Sequence, residues 1–218
     1  MPDPEELITM EQIAQGLFRL LVPFEELTTT VYVALCPTGV ALIDAATTQY
    51  DAEQLILPAL RESGIAPTDV RYLLLTHDHG DHAGGAPYLL EHLPHATLRC
   101  PFDSPWSATA PLFDGEVVAE RLQTVHLPGH TAHSVGFLDL PTRTLLSGDC
   151  LQLGGVGKYR SGITRPDDYR ISVHRLMDME LSRIVAAHEY DPLGSIAEGT
   201  DAVRDYLTTC LSFLPDQI

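Results

Sequence analysis

The sequence has 218 residues and a formal net charge of −17, because 30 acidic residues outnumber 13 basic ones. A surface with this charge repels phosphate backbones, so we expect no nucleic-acid partner. The apolar fraction is 44%, and the longest apolar runs are only as long as strands, so we expect a globular protein with no membrane partner. The N-terminal stretch "MPDPEELITM" lacks the basic and apolar regions of a secretory signal, which favours the cytoplasm.

The length and the cysteines indicate one domain with reduced thiols. A chain of this size can fill one large α/β domain, and no Pro/Gly-rich linker divides it, so residues 1–218 are expected to form a single domain. The four cysteines are far apart in the sequence and form no C-x-x-C pair. This spacing favours buried free thiols over a zinc ribbon or a disulfide framework.

The first half of the chain alternates predicted strands and helices. The segments "GLFRLLV" and "TTTVYVALCPTGVALIDAA" have the pattern of strands, and the second predicts a hairpin with its turn at Pro37-Thr38-Gly39. Apolar residues at helical spacing then predict a helix over residues 51–63, weakened only by Pro58. The segment "VRYLLLT" predicts a buried strand, and a second helix is expected over 85–93.

The second half repeats this order. The pattern first predicts four strands, over 96–100, 117–126, 134–140 and 143–148. A helix over 166–179, the strand "RIVAA" and a final helix over 195–214 follow. Two β-rich halves that each end in helices favour an α/β sandwich, in which two sheets pack together with helices outside. Residues 150–165 form one long glycine-rich loop, and loops of this length in compact domains are usually functional.

The segment "RYLLLTHDHGDHAGG" concentrates potential metal ligands directly after a predicted strand. His77 and His79 are two residues apart, so their side chains point the same way and can reach a single ion. Asp81 and His82 are adjacent and point elsewhere. Four ligand-type side chains that diverge from one short loop fit two neighbouring metal ions better than one enclosed ion.

Three further candidate ligands follow other predicted strands. His130 lies in "LPGHT", Asp149 in "SGDC" and His188 in "AAHEY". The ends of strands, followed by loops, are where α/β proteins place their functional sites. Any one of these residues alone is weak evidence, and the prediction rests on all of them together.

The motifs "THDHGDHAGG", "LPGHTAHSVGF", "SGDC" and "AAHEY", in this order, resemble those of the metallo-β-lactamase superfamily of dinuclear hydrolases. The resemblance covers nearly the whole chain and implies the αβ/βα four-layer sandwich of that family. It also implies that three histidines bind one metal, that an aspartate and two histidines bind a second, and that another aspartate bridges both. The three histidines of the first metal are His77, His79 and His130. The ligands of the second metal are Asp81, His82 and His188, and the bridging aspartate is Asp149.

The details of the resemblance favour one branch of the family. True β-lactamases of this superfamily lack the bridging carboxylate, so Asp149 argues against antibiotic hydrolysis. The sequence is more similar to the glyoxalase II and lactonase branches, although the stretch after His188 is too short for the helical C-terminal domain of glyoxalase II. The expected cofactors are two divalent transition-metal ions. Zinc is favoured, and the same ligands accept iron or manganese.

The expected activity is the hydrolysis of an ester, thioester or lactone in a small-molecule substrate. Two ions share a hydroxide that attacks the carbonyl, while Asp81 orients it and relays its proton. Alternatives are a mononuclear iron oxygenase of the persulfide dioxygenase type and, less favoured, a phosphodiesterase. A non-catalytic metal-binding protein would need a closed coordination shell. The sequence is compatible with a homodimer and does not specify the oligomeric state.

The glycine-rich loop carries a cationic triplet, Lys158, Tyr159 and Arg160, just downstream of Asp149. Its cations are candidates to bind a substrate carboxylate, and the tyrosine hydroxyl is a candidate donor to the carbonyl oxygen. The alternative is a solvated patch that pairs with this acidic surface.

Overall fold

The computed structural model describes residues 9–102, 104, 106, 110–151, 162–189 and 194–214. Among them, the first sheet consists of β1 Glu11–Ala14, β2 Leu17–Phe24, β3 Leu27–Cys36, β4 Gly39–Ile43, β5 Val70–Leu74, β6 Thr97–Pro101 and β7 Ala110–Leu112. These strands lie side by side in chain order. Strands β1 to β4 pair antiparallel, and β4 to β7 pair parallel.

The second sheet consists of β8 Val117–Val118, β9 Leu122–His126, β10 Val135–Asp139, β11 Thr144–Gly148, β12 Arg183–Ala186 and β13 Ile196–Glu198. Their order in the sheet is β13-β12-β11-β10-β9-β8. The β11–β12 pair is parallel and the other pairs are antiparallel. Parallel neighbours end at the same edge, so the loops after β11 and β12 lie side by side.

The helices are a π-helical stretch Asp51–Ile56 that continues into α1 Leu57–Glu62, a 3₁₀ turn Pro67–Asp69, α2 Gly80–Ala83, α3 Ala86–His92, α4 Pro166–Met177 and α5 Thr200–Ser212. Pro58 is tolerated because it occupies the first turn of α1, where the helix changes type. Among the described residues, no helix combines the length and the apolar character that crossing a membrane requires.

Three apolar layers hold the elements together. In β3, Val31 and Val33 pack against the layer that contains Ile56, while Tyr32 between them packs toward the second sheet. This alternation follows from the period of two in a strand, and it explains why β3 is apolar on both faces. Phe137 of β10 joins the layer between the sheets. The third layer packs the second sheet against α4 and α5. The predicted sandwich of two sheets with outer helices is therefore confirmed.

Some predicted boundaries were wrong. The predicted strand over 117–126 is two short strands, because Ala119 and Glu120 adopt positive φ angles of 55° and 57° and reverse the chain. The final helix begins at Thr200 rather than at residue 195, because Ile196–Glu198 pairs with β12 and Gly199 turns the chain at φ 88°. Strands β1 and β7 were not predicted.

The two sheets are joined directly beside the end of β12. The backbone N–H of Thr30 on β3 donates to the carbonyl of Ala187 at 2.8 Å. The hydroxyl of Tyr32 donates to the carbonyl of Val185 at 3.1 Å. These bonds fix the position of the residue that follows Ala187, which is the predicted ligand His188.

Candidate metal centre

The segment after β5 is shaped by a close backbone contact. His79 precedes α2, and Asp81 and His82 lie on this short helix. Gly84 and Gly85 follow this helix. A Cβ atom on Gly84 would lie 2.2 Å from the carbonyl oxygen of Thr47, and one on Gly85 would lie 2.1 Å from that of Ala45, both in the loop after β4. Only glycine fits there, so the "HAGG" sequence seats α2 against that loop.

A second close contact joins the end of β11 to the residue that follows β5. Gly148 has a φ of +52°, and a Cβ atom there would lie 2.6 Å from the Oγ1 atom of Thr76. This contact excludes larger residues and brings the next residue, Asp149, beside His77. The Nε2 atom of His77 lies 3.9 Å from Oδ2 of Asp149.

Two groups of potential ligand atoms have the predicted members, and a third group, His77, His82 and Asp149, spans both. Within each group the ligand atoms lie within 4.8 Å of one another. In the first group, Nε2 of His130 lies 2.8 Å from Nδ1 of His79. In the second, Oδ2 of Asp81 lies 3.4 Å from Nε2 of both His82 and His188. The groups are His77, His79 and His130, and Asp81, His82 and His188.

Asp149 lies between the two groups. Its Oδ1 atom is 3.3 Å from Nε2 of His82 and 3.2 Å from Nε2 of His188. Its Oδ2 atom is 3.4 Å from Nε2 of His130. Each carboxylate oxygen therefore faces a different group, which is the geometry that a bridging ligand requires.

Three of the histidine rings are held from outside the cluster through Nδ1. His82 donates to Oδ2 of Asp44 at 2.7 Å. His188 donates to the carbonyl of Thr28 at 2.8 Å, and His130 donates to the carbonyl of Gly162. Such bonds fix the tautomer, so that the lone pair of each Nε2 points into the cluster.

Asp44 is a functional residue that sequence analysis missed. It is fully buried at the end of β4, and it accepts hydrogen bonds from both the backbone N–H and the hydroxyl of Thr76. The only signal in the sequence was an aspartate directly after the apolar run "VALI". Its role follows from the parallel pairing of β4 with β5, which brings Asp44 beside Thr76.

The carboxylates shift the pKa values of the histidines around them. Burial alone would lower the pKa of His82, but Asp149 and Asp44 raise it well above its usual range. Burial also lowers the pKa of His188, but the charge of Asp149 outweighs it and raises this pKa to about 9. Burial, followed by the charge of His82, lowers the pKa of His77 well below its usual range. The carboxylates therefore favour positive charge at His82 and His188, whereas burial disfavours it at His77.

The donor set fits divalent transition metals. The Nε2 atoms of His82 and His188 lie 3.4 Å apart, and both face the carboxylates of Asp81 and Asp149. The buried Nε2 of His77 has no hydrogen-bond partner among the described residues. Carboxylates that converge in a buried site need positive charge beside them, which either protonated imidazoles or bound metal ions supply. Imidazole and carboxylate are ligands that zinc, iron and manganese accept.

The cationic triplet Lys158, Tyr159 and Arg160 lies outside the described residues. The described chain stops at Leu151, two residues after Asp149, and resumes at Gly162, whose carbonyl accepts the bond from His130. Both described ends of this segment therefore adjoin the ligand cluster. The substrate contacts of the triplet stay a prediction.

The fold and the cluster define an αβ/βα sandwich protein with a candidate dinuclear metal centre at one edge of its sheets. A family model described as the metallo-β-lactamase superfamily matches residues 25–188, a range that contains all seven predicted ligands. The chain belongs to the metallo-β-lactamase superfamily.

Curated relatives give a more specific likeness. The chain is 31% identical over 167 residues to a hydroxyacylglutathione hydrolase from Xylella fastidiosa strain M23. The aligned region covers 73% of this chain and 59% of that relative. The chain is 30% identical over 143 residues to the lactamase-like protein aptB from Emericella nidulans, covering 64% and 43%. The chain thus spans about half the length of these relatives.

Solved structures share the fold. The metallo-β-lactamase FIM-1 from Pseudomonas aeruginosa, in its mono-zinc form, superposes with a TM-score of 0.76 at 16% identity, covering 98% of this chain and 99% of that one. A metallo-β-lactamase family protein from Thermus thermophilus gives a TM-score of 0.71 at 23% identity, covering 92% and 80%. At these identities the likeness concerns the fold.

Proposed function

We propose that residues 1–218 form one metallo-β-lactamase-like domain that hydrolyses an ester, thioester or lactone in a small molecule with two metal ions. One observation carries this proposal: the two carboxylate oxygens of Asp149 face separate ligand groups, at 3.2 Å from Nε2 of His188 and 3.4 Å from Nε2 of His130. An anion in this position offsets the repulsion between two cations. The relatives named hydroxyacylglutathione hydrolases support hydrolysis of an acyl compound.

In this proposal each ligand group holds one ion. Zinc is the favoured metal, because imidazole and carboxylate suit it, and iron and manganese accept the same donors. Ions bound there supply a hydroxide near neutral pH and polarise a substrate carbonyl. The residues around them keep the histidine rings in one tautomer and orientation, so little has to reorganise when metal binds.

Asp81 is the proposed catalytic residue. Its side chain is 16% exposed, whereas that of Asp149 is 7% exposed, so Asp81 is the more accessible carboxylate of the cluster. A carboxylate at the open side can accept a hydrogen bond from the attacking water and orient it toward the substrate carbonyl. The carboxylate would take the proton from that water as the bond to the carbonyl carbon forms, and would return it to the leaving group as the bond to that group breaks.

Lys158, Tyr159 and Arg160 are the proposed substrate contacts. Lysine or arginine would pair with a substrate carboxylate, and the tyrosine hydroxyl would donate to the carbonyl oxygen. This assignment is supported by their place in the sequence, between Asp149 and the segment that supports His130.

A substrate panel tests the proposal. Protein stripped with a chelator and reconstituted with zinc, iron or manganese is assayed on esters, thioesters, lactones and phosphodiesters, with oxygen uptake measured in parallel on persulfides. Turnover of an acyl substrate that disappears on stripping and returns with metal is expected. The control His92→Ala should behave like the wild type, because among the described residues this exposed histidine bonds only to the carbonyl of Tyr88 within α3. Oxygen uptake with one iron per chain would favour the dioxygenase alternative, and phosphodiester cleavage alone would contradict the acyl substrate.

A further inference from the structure

Thr76 connects the supports of the two ligand groups. Its hydroxyl lies 2.8 Å from Oδ2 of Asp44 and 3.1 Å from Nδ1 of His77. Asp44 in turn lies 2.7 Å from Nδ1 of His82. His77 belongs to the first ligand group and His82 to the second, so one buried chain of hydrogen bonds joins both.

The chain has only one consistent assignment of its protons when both rings bind metal through Nε2. Asp44 is an acceptor, so the hydroxyl of Thr76 donates to it. The oxygen of that hydroxyl then has lone pairs free to accept the Nδ1–H of His77. This leaves the buried Nε2 of His77 with its lone pair inward, in agreement with the lack of a hydrogen-bond partner for that atom among the described residues.

We infer that Thr76 is a positioning residue that couples the two metal sites through Asp44. The hydroxyl keeps His77 in the tautomer that presents Nε2, and it completes the hydrogen bonding of the carboxylate that holds His82. All four members are nearly inaccessible, with exposures between 0% and 1%, so water cannot replace a lost partner. The inference rests on the proposed metal centre and is independent of the proposed substrate.

Thr76→Val removes the hydroxyl and keeps the side-chain volume that contacts Gly148. We expect metal affinity at the site of His77 to fall about ten- to a hundredfold, the range for lost partners of metal-bound histidines. Affinity at the site of His82 should fall less, because Asp44 keeps the backbone N–H of Thr76 as a donor. Thr76→Ser retains the hydroxyl and should restore both affinities.

The measurement is a stepwise zinc titration against a competing chelator. Thr124→Val is the matched control: Thr124 is fully buried on β9, and its hydroxyl has no hydrogen-bond partner among the described residues. This control should bind zinc like the wild type. Wild-type affinities for Thr76→Val would overturn the inference, whereas a wild type that binds no zinc would instead overturn the metal centre.

A second measurement covers the case in which Thr76→Val does not fold. In the zinc-loaded wild type, the proton on Nδ1 of His77 should give a resolved imidazole N–H resonance in NMR spectra. Asp44→Asn should shift that resonance, because the hydroxyl of Thr76 bonds to both Asp44 and His77. The control Thr124→Val should leave it in place. An unchanged His77 resonance in Asp44→Asn would contradict the coupling.

Discussion

The two sheets support their candidate metal ligands in different ways. At the first sheet, His77 and His82 follow a single strand, and side chains hold both rings, namely Thr76 and Asp44. At the second sheet, His130 and His188 follow separate strands, and each ring donates to a backbone carbonyl. Support from a side chain is lost by a point mutation, whereas a carbonyl remains when the side chain of its residue is replaced. The first half of the centre is therefore the more sensitive to mutations outside the ligands.

The largest effect is expected at Asp149, whose two carboxylate oxygens face the two ligand groups. Asp149→Ala should abolish turnover and weaken at least one metal site, because two cations would then repel across a short gap. Kinetics and elemental analysis on the same preparation check this outcome. Folding should also be less stable, since metal binding adds to stability. Activity near that of the wild type, with full metal content, would refute the bridging role.

The cationic triplet belongs to the segment after Asp149, and mutations there should separate substrate binding from metal binding. Single alanine substitutions of Lys158, Tyr159 and Arg160 should each lower kcat/KM by roughly tenfold to a thousandfold, the range for lost charge-assisted or oxyanion contacts. Metal content should stay that of the wild type. If all three variants keep the wild-type kcat/KM on the best substrate, the triplet has no role in selectivity.

Removing the carboxylate charge at Asp44 should weaken the metal site that contains His82. Asp44→Asn keeps the size of the side chain but replaces a charged acceptor for Nδ1 of His82 with a neutral amide. Metal affinity at the site of His82 should fall about ten- to a hundredfold. A competitive zinc titration measures this loss. Equal zinc affinities of the variant and the wild type would contradict the claim that the site of His82 depends on support from a side chain.

The smallest effect is expected at Thr28. His188 bonds to the backbone carbonyl of this residue, so Thr28→Ala keeps the acceptor. Zinc affinity and kcat/KM should both match the wild type within about twofold, within the range of ordinary surface substitutions. A tenfold loss of zinc affinity would show that the second sheet also depends on a side chain.

The sequence could point to the residues that the fold brings into one cluster, because they stand in motifs. His77, His79, Asp81 and His82 stand within six positions after an apolar run, and no packing requirement places such residues together. The change between strand and helix periodicity favoured a layered α/β fold, and the resemblance to the metallo-β-lactamase superfamily implied the four-layer sandwich. Both kinds of information are local, so they survive without knowledge of the tertiary structure.

The remaining features depend on pairing between distant segments. Asp44 looks like any aspartate after a strand until β4 lies beside β5. The break between β8 and β9 arises at Ala119 and Glu120, which adopt positive φ without the glycine or asparagine that would announce it. The start of α5 was misplaced because pairing of Ile196–Glu198 with β12 overrides the helical pattern there.

The number of metal ions per chain tests the central claim most directly. Protein saturated with zinc and freed of excess metal should contain two ions per chain by elemental analysis, and His130→Ala and His188→Ala should each retain about one, because each removes a ligand from a different group. A saturated wild type with one ion per chain would contradict a dinuclear centre bridged by Asp149.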